Sequence, residues 1–230
     1  MFDDRYEVVL ADTKSSKFIN FQLRYRVFCL EKGFENPEHF MNGMEHDEHD
    51  DNAVHFLVRD RTINQWVAAA RLIIGTLDTL PISRVAKLEL QDLSPDAMIA
   101  EFSRFLILNE YRRPNGHGSS EPEILLGMIR AARQYCLQMG IQQWVFFCRR
   151  AISRMLANVG VRVEQIGPAC MFRGVRIPNR LHLQSAFISV PKHSSRTHQM
   201  LSRPWKSYVR FSDYTIRSTV RSRFPVPQCQ

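Results

Sequence analysis

One segment of the sequence places an acid, a hydroxyl and an arginine inside an apolar run. Glu101, Ser103 and Arg104 lie between the apolar residues 98–100 and 106–108. The run predicts a partly buried strand, in which polar groups are costly unless each has a partner. Groups kept in such a place usually serve a site, and a buried carboxylate is suited to general acid–base chemistry.

Apolar periodicity predicts the elements that must position this segment. The first five are a strand at 6–11, a helix at 15–32, strands at 53–59 and 66–75 that form a hairpin, and a central strand at 98–110. The later ones are a helix between Ser120 and Gly140, a strand at 141–148, a short helix at 151–159 and two strands around the turn at Arg173 and Gly174. An acidic loop at 35–52 and an irregular segment at 76–96 separate the early elements.

The loop after the central strand has the features of a phosphate-binding segment. Its arginines and glycines are Arg112, Arg113, Gly116 and Gly118. Glycines let the backbone turn tightly and aim its N–H groups, and the start of the next helix adds the positive end of its dipole. That helix is predicted to begin near Ser120, where Ser120 and Glu123 would form a capping box.

The order of these residues resembles a known group of enzymes. Upstream of the Glu-x-Ser-Arg set at 101–104 stand Arg24, Phe28, Glu45, Asp47, Asp50 and Arg71. This order resembles the acyl-homoserine-lactone synthases and the long-chain N-acyl amino acid synthases. Residues 23–35, with the acids that follow them, look most like the acyltransferases associated with the PEP-CTERM/exosortase system.

The resemblance extends to the fold. The order of elements and the Arg-x-x-Gly-x-Gly pattern at 113–118 are similar to those of the GCN5-related N-acetyltransferase (GNAT) superfamily. This implies an α/β protein with a GNAT-like three-layer fold, in which helices flank a mixed, mostly antiparallel central sheet. The predicted domain covers residues 1–191, and residues 192–230 form a basic C-terminal extension.

The resemblance implies an N-acyltransferase. The enzyme would move a fatty acyl group from an acyl carrier protein thioester, or from acyl-CoA, to the amine of an amino acid or related small metabolite. The phosphate segment permits either donor, and no tightly bound cofactor is implied. Glu101 would act as the base through water, with Ser103 orienting Glu101 or Arg104. Burial would raise the pKa of Glu101, while Arg71 or Arg104 would oppose that shift.

The upstream charges are implied to shape the amino-substrate side of the site. Arg24 or Arg71 would grip an α-carboxylate through two parallel hydrogen bonds, and Asp47 or Asp50 would hold the ammonium group. The alternative is a structural ion-pair network that ties the acidic loop to the core. Apolar walls near the acyl chain or substrate are predicted from Phe28, Phe34 and Phe105.

Other functions compete with this interpretation. Autoinducer synthases of this type usually carry Trp where the chain has Phe34, which disfavours S-adenosylmethionine as the amino substrate. A catalytically silent binding or regulatory protein is a further alternative, which the intact Glu101, Ser103 and Arg104 disfavour. Residues 45–51 are rich in His and acids, but their spacing fits neither an EF-hand nor a usual zinc pattern, so no metal site is predicted.

Charge and cysteine content limit the partners. The net charge is +8, and residues 192–230 carry eight basic residues and one acid, so most of the excess lies there. The excess predicts docking of an acyl carrier protein or an anionic membrane face, with a solvated tail without a partner as the open alternative. No DNA-binding motif supports nucleic acid. Five cysteines without C-x-x-C spacing and the absence of a long apolar run predict a cytoplasmic protein.

Overall fold

The strands of the protein lie in a mixed β-sheet. The computed structural model describes residues 2–112, 120–188, 198, 200–201 and 208–217. Its strands are β1 (Tyr6–Leu10), β2 (Val54–Asp60), β3 (Gln65–Gly75), β4 (Ile99–Ile107), β5 (Gln143–Cys148), β6 (Glu164–Gln165), β7 (Cys170–Met171), β8 (Val175–His182) and β9 (Val209–Arg210). Burial is nearly continuous along the middle of β2 and β3, as expected for strands covered on both faces.

The order of the strands places β4 at the centre. The main sheet runs β6-β8-β5-β4-β3-β2-β1-β9, and β7 pairs with β8 at its side. The β1–β9 and β4–β5 pairs are parallel and the others antiparallel. The predicted hairpin of β2 and β3 and the predicted central strand are both present. The sheet is therefore mixed and mostly antiparallel, as the sequence predicted.

Helices cover both faces of this sheet. They are α1 (Phe2–Arg5), α2 (Lys14–Arg24), α3 (Pro81–Val85), α4 (Asn109–Arg112), α5 (Glu121–Gln138), α6 (Arg150–Asn158) and α7 (Phe211–Arg217). In β2, His55 contacts Phe21 of α2, whereas its neighbour Phe56 contacts Tyr135 of α5. Successive side chains of a strand point to opposite faces, so α2 and α5 lie on opposite sides of the sheet. None of the described helices is long and apolar enough to cross a membrane.

The helix predicted at 15–32 is divided into two kinds of helix. The α-helix α2 ends at Arg24, and residues Tyr25–Glu31 continue it as a π-helix. The N–H of Lys32 donates to the carbonyl of Val27, five residues earlier. Such wide turns are rare and are frequent at functional sites. The prediction of a helix at 15–32 was therefore correct in position but not in hydrogen-bond pattern.

The start of α5 corrects another prediction. Ser120 has a helical backbone conformation and makes no side-chain capping bond, so the predicted capping box with Glu123 is wrong. A side-chain cap needs an extended backbone at its first residue, which Thr13 provides at the start of α2, where Thr13 and Ser16 form a capping box. The predicted end of α5 is correct, because Gly140 has a positive φ of 77° just beyond the helix.

Segments predicted to be irregular or appended also contain structure. The segment 76–96 includes α3, and the described part of the C-terminal extension includes β9, which pairs with β1. Phe211 packs against Trp66, and Ser212 donates two hydrogen bonds to Asp12. This part of the extension therefore lies against the predicted domain, while the boundary at residue 191 stays a prediction.

Candidate active site

A cavity opens where β4 and β5 separate. The two parallel strands pair only at Ala100 with Trp144 and at Glu101 with Val145. Beyond these pairs, residues 102–107 of β4 and 146–148 of β5 line a cavity of about 830 Å³. The cavity joins an apolar region to a charged region. Its apolar lining includes Phe102, Leu125, Ile129, Trp144, Ile152 and Leu156, and its charged lining includes Asp47, Arg71, Glu101, Arg104 and Arg173.

The strand register places the polar side chains of the site on one face. His55 is paired with Arg71, and Arg71 is paired with Ser103, so the three form a row across β2, β3 and β4. Arg71 donates from Nε to Ser103 Oγ at 3.3 Å. Because Glu101 lies two residues before Ser103 on the same strand, it faces the same side. This face is the one covered by α2.

A β-bulge brings Arg104 into this group. The register between β3 and β4 shifts after Ala69, giving β4 one extra residue, and Arg104 has a left-handed φ of 50°. In a regular strand Arg104 would point away from Ser103. Instead its Nη2 lies 2.9 Å from Asp47 Oδ2 and its Nε 3.2 Å from Glu45 Oε1. The bulge therefore redirects this guanidinium, a known use of bulges near active sites.

Arg24 is the buried centre of an ion-pair network. Its side chain has no exposed surface, and it donates to Glu45 Oε2 and, at 2.6 Å, to Asp50 Oδ1. Glu45 and Asp50 are 1% and 3% exposed, so neither carboxylate has water as an alternative partner. Burial alone would raise the pKa of Asp50, but Arg24 and Arg71 hold it well below its usual range. Arg24 therefore acts on the loop carboxylates, which is the structural alternative to the predicted substrate grip.

Arg71 connects this network to the cavity. Its Nη1 donates to Asp47 at 2.5 Å and to Asp50 at 2.9 Å. Asp47 is 27% exposed along its side chain and lines the cavity, whereas Asp50 does not. Burial opposes ionisation of Asp47, yet Arg71 lowers its pKa. Of the two predicted ammonium ligands, Asp47 is thus the one that faces the open space.

Glu101 is the buried acid of the cavity. It is 6% exposed, and its Oε2 accepts a hydrogen bond of 2.7 Å from the backbone N–H of Ile82 in α3. Burial raises its pKa to about 7, against the opposing effects of the Ile82 N–H, Arg71 and Arg104. The two opposing effects predicted from the sequence are both present, and burial is the larger. A carboxyl with this pKa can accept a proton near neutral pH.

The aromatic residues predicted to form walls lie at two places. Phe28 and Phe34 stack with their ring centroids 6.3 Å apart, and both line the cavity. The guanidinium of Arg104 lies over the ring of Phe28, and that of Arg176 lies over the ring of Phe34. Phe105 contacts Phe102, which stacks on Trp144 at 5.3 Å. The π-helix positions the first pair, because the carbonyl of Phe28 accepts hydrogen bonds from the N–H groups of Phe34 and Glu35.

Basic residues surround another part of the cavity. Lys32, Arg149 and Arg176 all line it, and none of the three forms an ion pair within the residues described. Arg112 also lines it and is paired with Glu31. The pKa of Lys32 is lowered by burial and by Arg112 and Arg149, so these positive charges lie close together. Arg113, Gly116 and Gly118 of the predicted phosphate segment lie outside the described residues.

Several residues of this site were not found from the sequence. Ile82 contributes only its backbone N–H, and Arg149, Arg173 and Arg176 belong to no motif. Glu35 ends the segment 23–35 that carries the resemblance, but it was assigned no role. Glu35 stands beside the recognised Phe34, and Arg173 stands in a predicted turn, so position offered a weak signal for both. No group of three or more potential metal ligands comes together in the part of the chain that the structure describes.

Comparisons with known proteins agree with this architecture. Residues 23–118 match the model of the acetyltransferase (GNAT) domain. BjaI, a CoA-dependent acyl-homoserine lactone synthase solved with SAM and isopentyl-CoA, is 19% identical, with a TM-score of 0.64 over 90% of this chain and 92% of its own. The acyl-homoserine-lactone synthase LasI is 20% identical, with a TM-score of 0.60 over 80% and 93%. No curated protein sequence matches this chain.

A third solved structure belongs to a different kind of synthase. FeeM, an N-acyl amino acid synthase from uncultured soil microbes, is 14% identical, with a TM-score of 0.59 over 81% of this chain and 95% of its own. The predicted GNAT fold is confirmed. The matched domain and the fold together support an enzyme of the acyltransferase class, with structural likeness to acyl-homoserine-lactone and N-acyl amino acid synthases.

Proposed function

We propose that this protein transfers a fatty acyl group from an acyl carrier protein thioester to the amine of an amino acid or related small metabolite. The observation that carries this proposal is Glu101, a buried acid with a pKa of about 7 at the junction of the apolar and charged regions of one cavity. The apolar region suits an acyl chain, and the charged region suits a zwitterionic amine.

The acceptor nitrogen must lose one proton before it can attack the thioester. The acceptor enters as an ammonium ion, for which Asp47 is the cavity-facing carboxylate. Glu101 takes a proton from this nitrogen through water, and the free amine then attacks the thioester carbonyl. After the attack the nitrogen carries one proton more than the amide needs. As the carbon–sulfur bond breaks and the amide forms, this proton passes to the leaving carrier thiol, and Glu101 returns the first proton to solvent. Ser103 accepts a hydrogen bond from Arg71, and Arg71 donates to Asp47, so these two residues position Asp47 rather than touch the reacting atoms.

The basic residues that line one part of the cavity support a donor that carries a phosphate. Lys32, Arg149 and Arg176 offer positive charge that forms no ion pair with a described carboxylate, as the binding of a phosphopantetheine phosphate would require. Acyl-CoA is the alternative donor with the same reactive thioester. The preference for acyl carrier protein, a peripheral membrane contact, the cytoplasmic location and the likeness to the PEP-CTERM-associated acyltransferases stay predictions.

Mass spectrometry of lipid extracts from bacteria that express the protein tests this function. N-acyl amino acids are expected with the intact chain and not with Glu101→Gln. Glu110→Gln is the matched control, because Glu110 is 50% exposed and pairs only with the exposed Arg26 among described residues. Acyl-homoserine lactones instead would identify an autoinducer synthase, and binding of acyl donor and amine without any product would favour a silent protein.

The length of the acyl chain is expected to depend on Ile152. This half-buried residue of α6 lines the apolar region of the cavity. Ile152→Trp fills space that the end of the chain would occupy, so the product distribution should shift to shorter chains, since each buried methylene is worth about 0.8 kcal/mol. Ile63→Trp, on the exposed β2–β3 turn, serves as control. An unchanged distribution of acyl-chain lengths in the lipid extracts would mean that the acyl chain does not occupy this region of the cavity.

A further inference from the structure

Two arginines of the cavity converge on one carboxylate that comes from a distant part of the chain. Glu35 Oε1 is paired with Arg173 Nη2 and lies 3.5 Å from Arg104 Nη2. Both arginines line the cavity, Arg104 from β4 and Arg173 from the turn between β7 and β8. The side chains of Arg104, Glu35 and Arg173 are 16%, 20% and 24% exposed, so this cluster is open to the cavity but poorly hydrated.

A carboxylate at this position offsets the positive charge of the two arginines. Arg104 shares Glu45 and Asp47 with the buried network, whereas Glu35 is the described carboxylate that pairs with Arg173. Burial and then the neighbouring Arg104 lower the pKa of Arg173, so the two guanidinium groups repel each other. Without a shared anion, this repulsion would act in a poorly solvated space.

The backbone holds both arginines in unusual conformations. Arg104 and Arg173 have φ angles of 50° and 51°, in the left-handed region that costs a non-glycine residue free energy. Arg176 stabilises the turn by donating from Nη2 to the carbonyl of Arg173 at 3.2 Å. Glu35 is positioned from the other side by its N–H bond to the carbonyl of Phe28 in the π-helix.

We propose that Arg104 and Arg173 bind the carboxylate of the acceptor, and that Glu35 occupies this place as an internal carboxylate until the acceptor displaces it. Arg24, one sequence-based candidate for this grip, is fully buried with Glu45 and Asp50 and does not line the cavity. Arg71, the other candidate, is paired with Asp47 and Asp50, whereas Glu35 sits on a loop beside the cavity. The acceptor is thus an amino acid with a free carboxylate rather than a simple amine. This inference rests on the proposed function for its substrate class.

Kinetics with matched acceptors test the role of Arg173. Release of the donor thiol is measured with a panel of amino acids and with the carboxamide of each. Arg173→Gln should raise KM for the amino acids about tenfold to a hundredfold, the loss of a charged hydrogen bond, and leave KM for the carboxamides unchanged. Glu35→Gln should lower KM for the amino acids, because it removes the competing charge. If either variant changed KM equally for the amino acids and for their carboxamides, the Glu35–Arg173 ion pair would have a structural role only.

A binding measurement separates this inference from the proposed function. Isothermal titration compares N-dodecanoyl-leucine with N-dodecanoyl-leucinamide on the intact protein, on Arg173→Gln and on the control Arg162→Gln, which changes an exposed arginine. The acid should bind about tenfold or more tightly than the amide, and only Arg173→Gln should abolish the preference. Equal affinities for the intact protein would overturn the carboxylate site. If no amine releases thiol but the preference is present, the proposed function fails and the carboxylate site stands.

Discussion

Glu101→Gln is expected to lower kcat/KM for acyl transfer about 10²- to 10⁴-fold, the usual contribution of a positioned general base. Gln has the same shape and can accept the hydrogen bond from the Ile82 N–H, so the cavity is preserved. It cannot take the proton from the acceptor amine. Thiol release by purified protein measures the loss, with Glu110→Gln as the exposed control. A variant that retains full kcat/KM would show that another group is the base.

The pH dependence provides a second check on the same residue. Because burial raises the pKa of Glu101 to about 7, the base is mostly protonated at pH 6 and mostly ionised at pH 8. The kcat/KM of the intact protein should rise about tenfold per pH unit below pH 7 and level off above it. The residual rate of Glu101→Gln should lack this inflection.

Stability should change in the opposite sense to activity. The pKa of Glu101 is raised from 4.5 to about 7 on folding, so the stabilising effect of its neutral form is present below pH 4.5 and lost as the pH rises through 7. The free energy of unfolding of Glu101→Gln should exceed that of the intact protein by about 3 kcal/mol at pH 8 and by little at pH 4.5. Urea denaturation at both pH values measures the difference. No difference at pH 8 would mean that the carboxylate is solvated.

Arg24→Met is expected to lower the free energy of unfolding by about 3–5 kcal/mol at pH 7. The substitution leaves Glu45 and Asp50, which are 1% and 3% exposed, without their shared cation. The remaining contacts from Arg71 and Arg104 neutralise them only in part. Arg24 helps to hold the pKa of Asp50 low, so the stability that this ion pair contributes is present above pH 3.8 and is lost as the pH falls toward the native pKa. The destabilisation caused by Arg24→Met should therefore be smaller at acid pH than at pH 7.

An exposed ion pair provides the control for this prediction. Arg84 and Glu48 are 2.8 Å apart but 61% and 70% exposed along their side chains. Arg84→Met should therefore change the free energy of unfolding by less than about 1 kcal/mol. Equal losses for Arg24→Met and Arg84→Met would mean that the network around Arg24 is hydrated rather than buried.

Much of the fold could be predicted because it depends on local patterns. Short apolar runs on either side of a polar turn located β2 and β3, and the polar segment in an apolar run located β4 with Glu101 on it. The same patterns missed the π-helix at Tyr25–Glu31 and wrongly predicted a capping box at Ser120. Both features depend on backbone geometry within one turn, which residue types specify only weakly.

The sequence by itself determined the class of fold and predicted which residues carry chemistry, because periodicity and residue type are local properties. Only the tertiary structure decided which charged residues pair with one another and which of them face the cavity. It buries Arg24 with Glu45 and Asp50, and a β-bulge redirects the side chain of Arg104. It also brings Arg173 to Glu35, which lies 138 residues away in the sequence. The strength of each ion pair depends on burial and on neighbours from other strands, and these distances exist only after the sheet has formed.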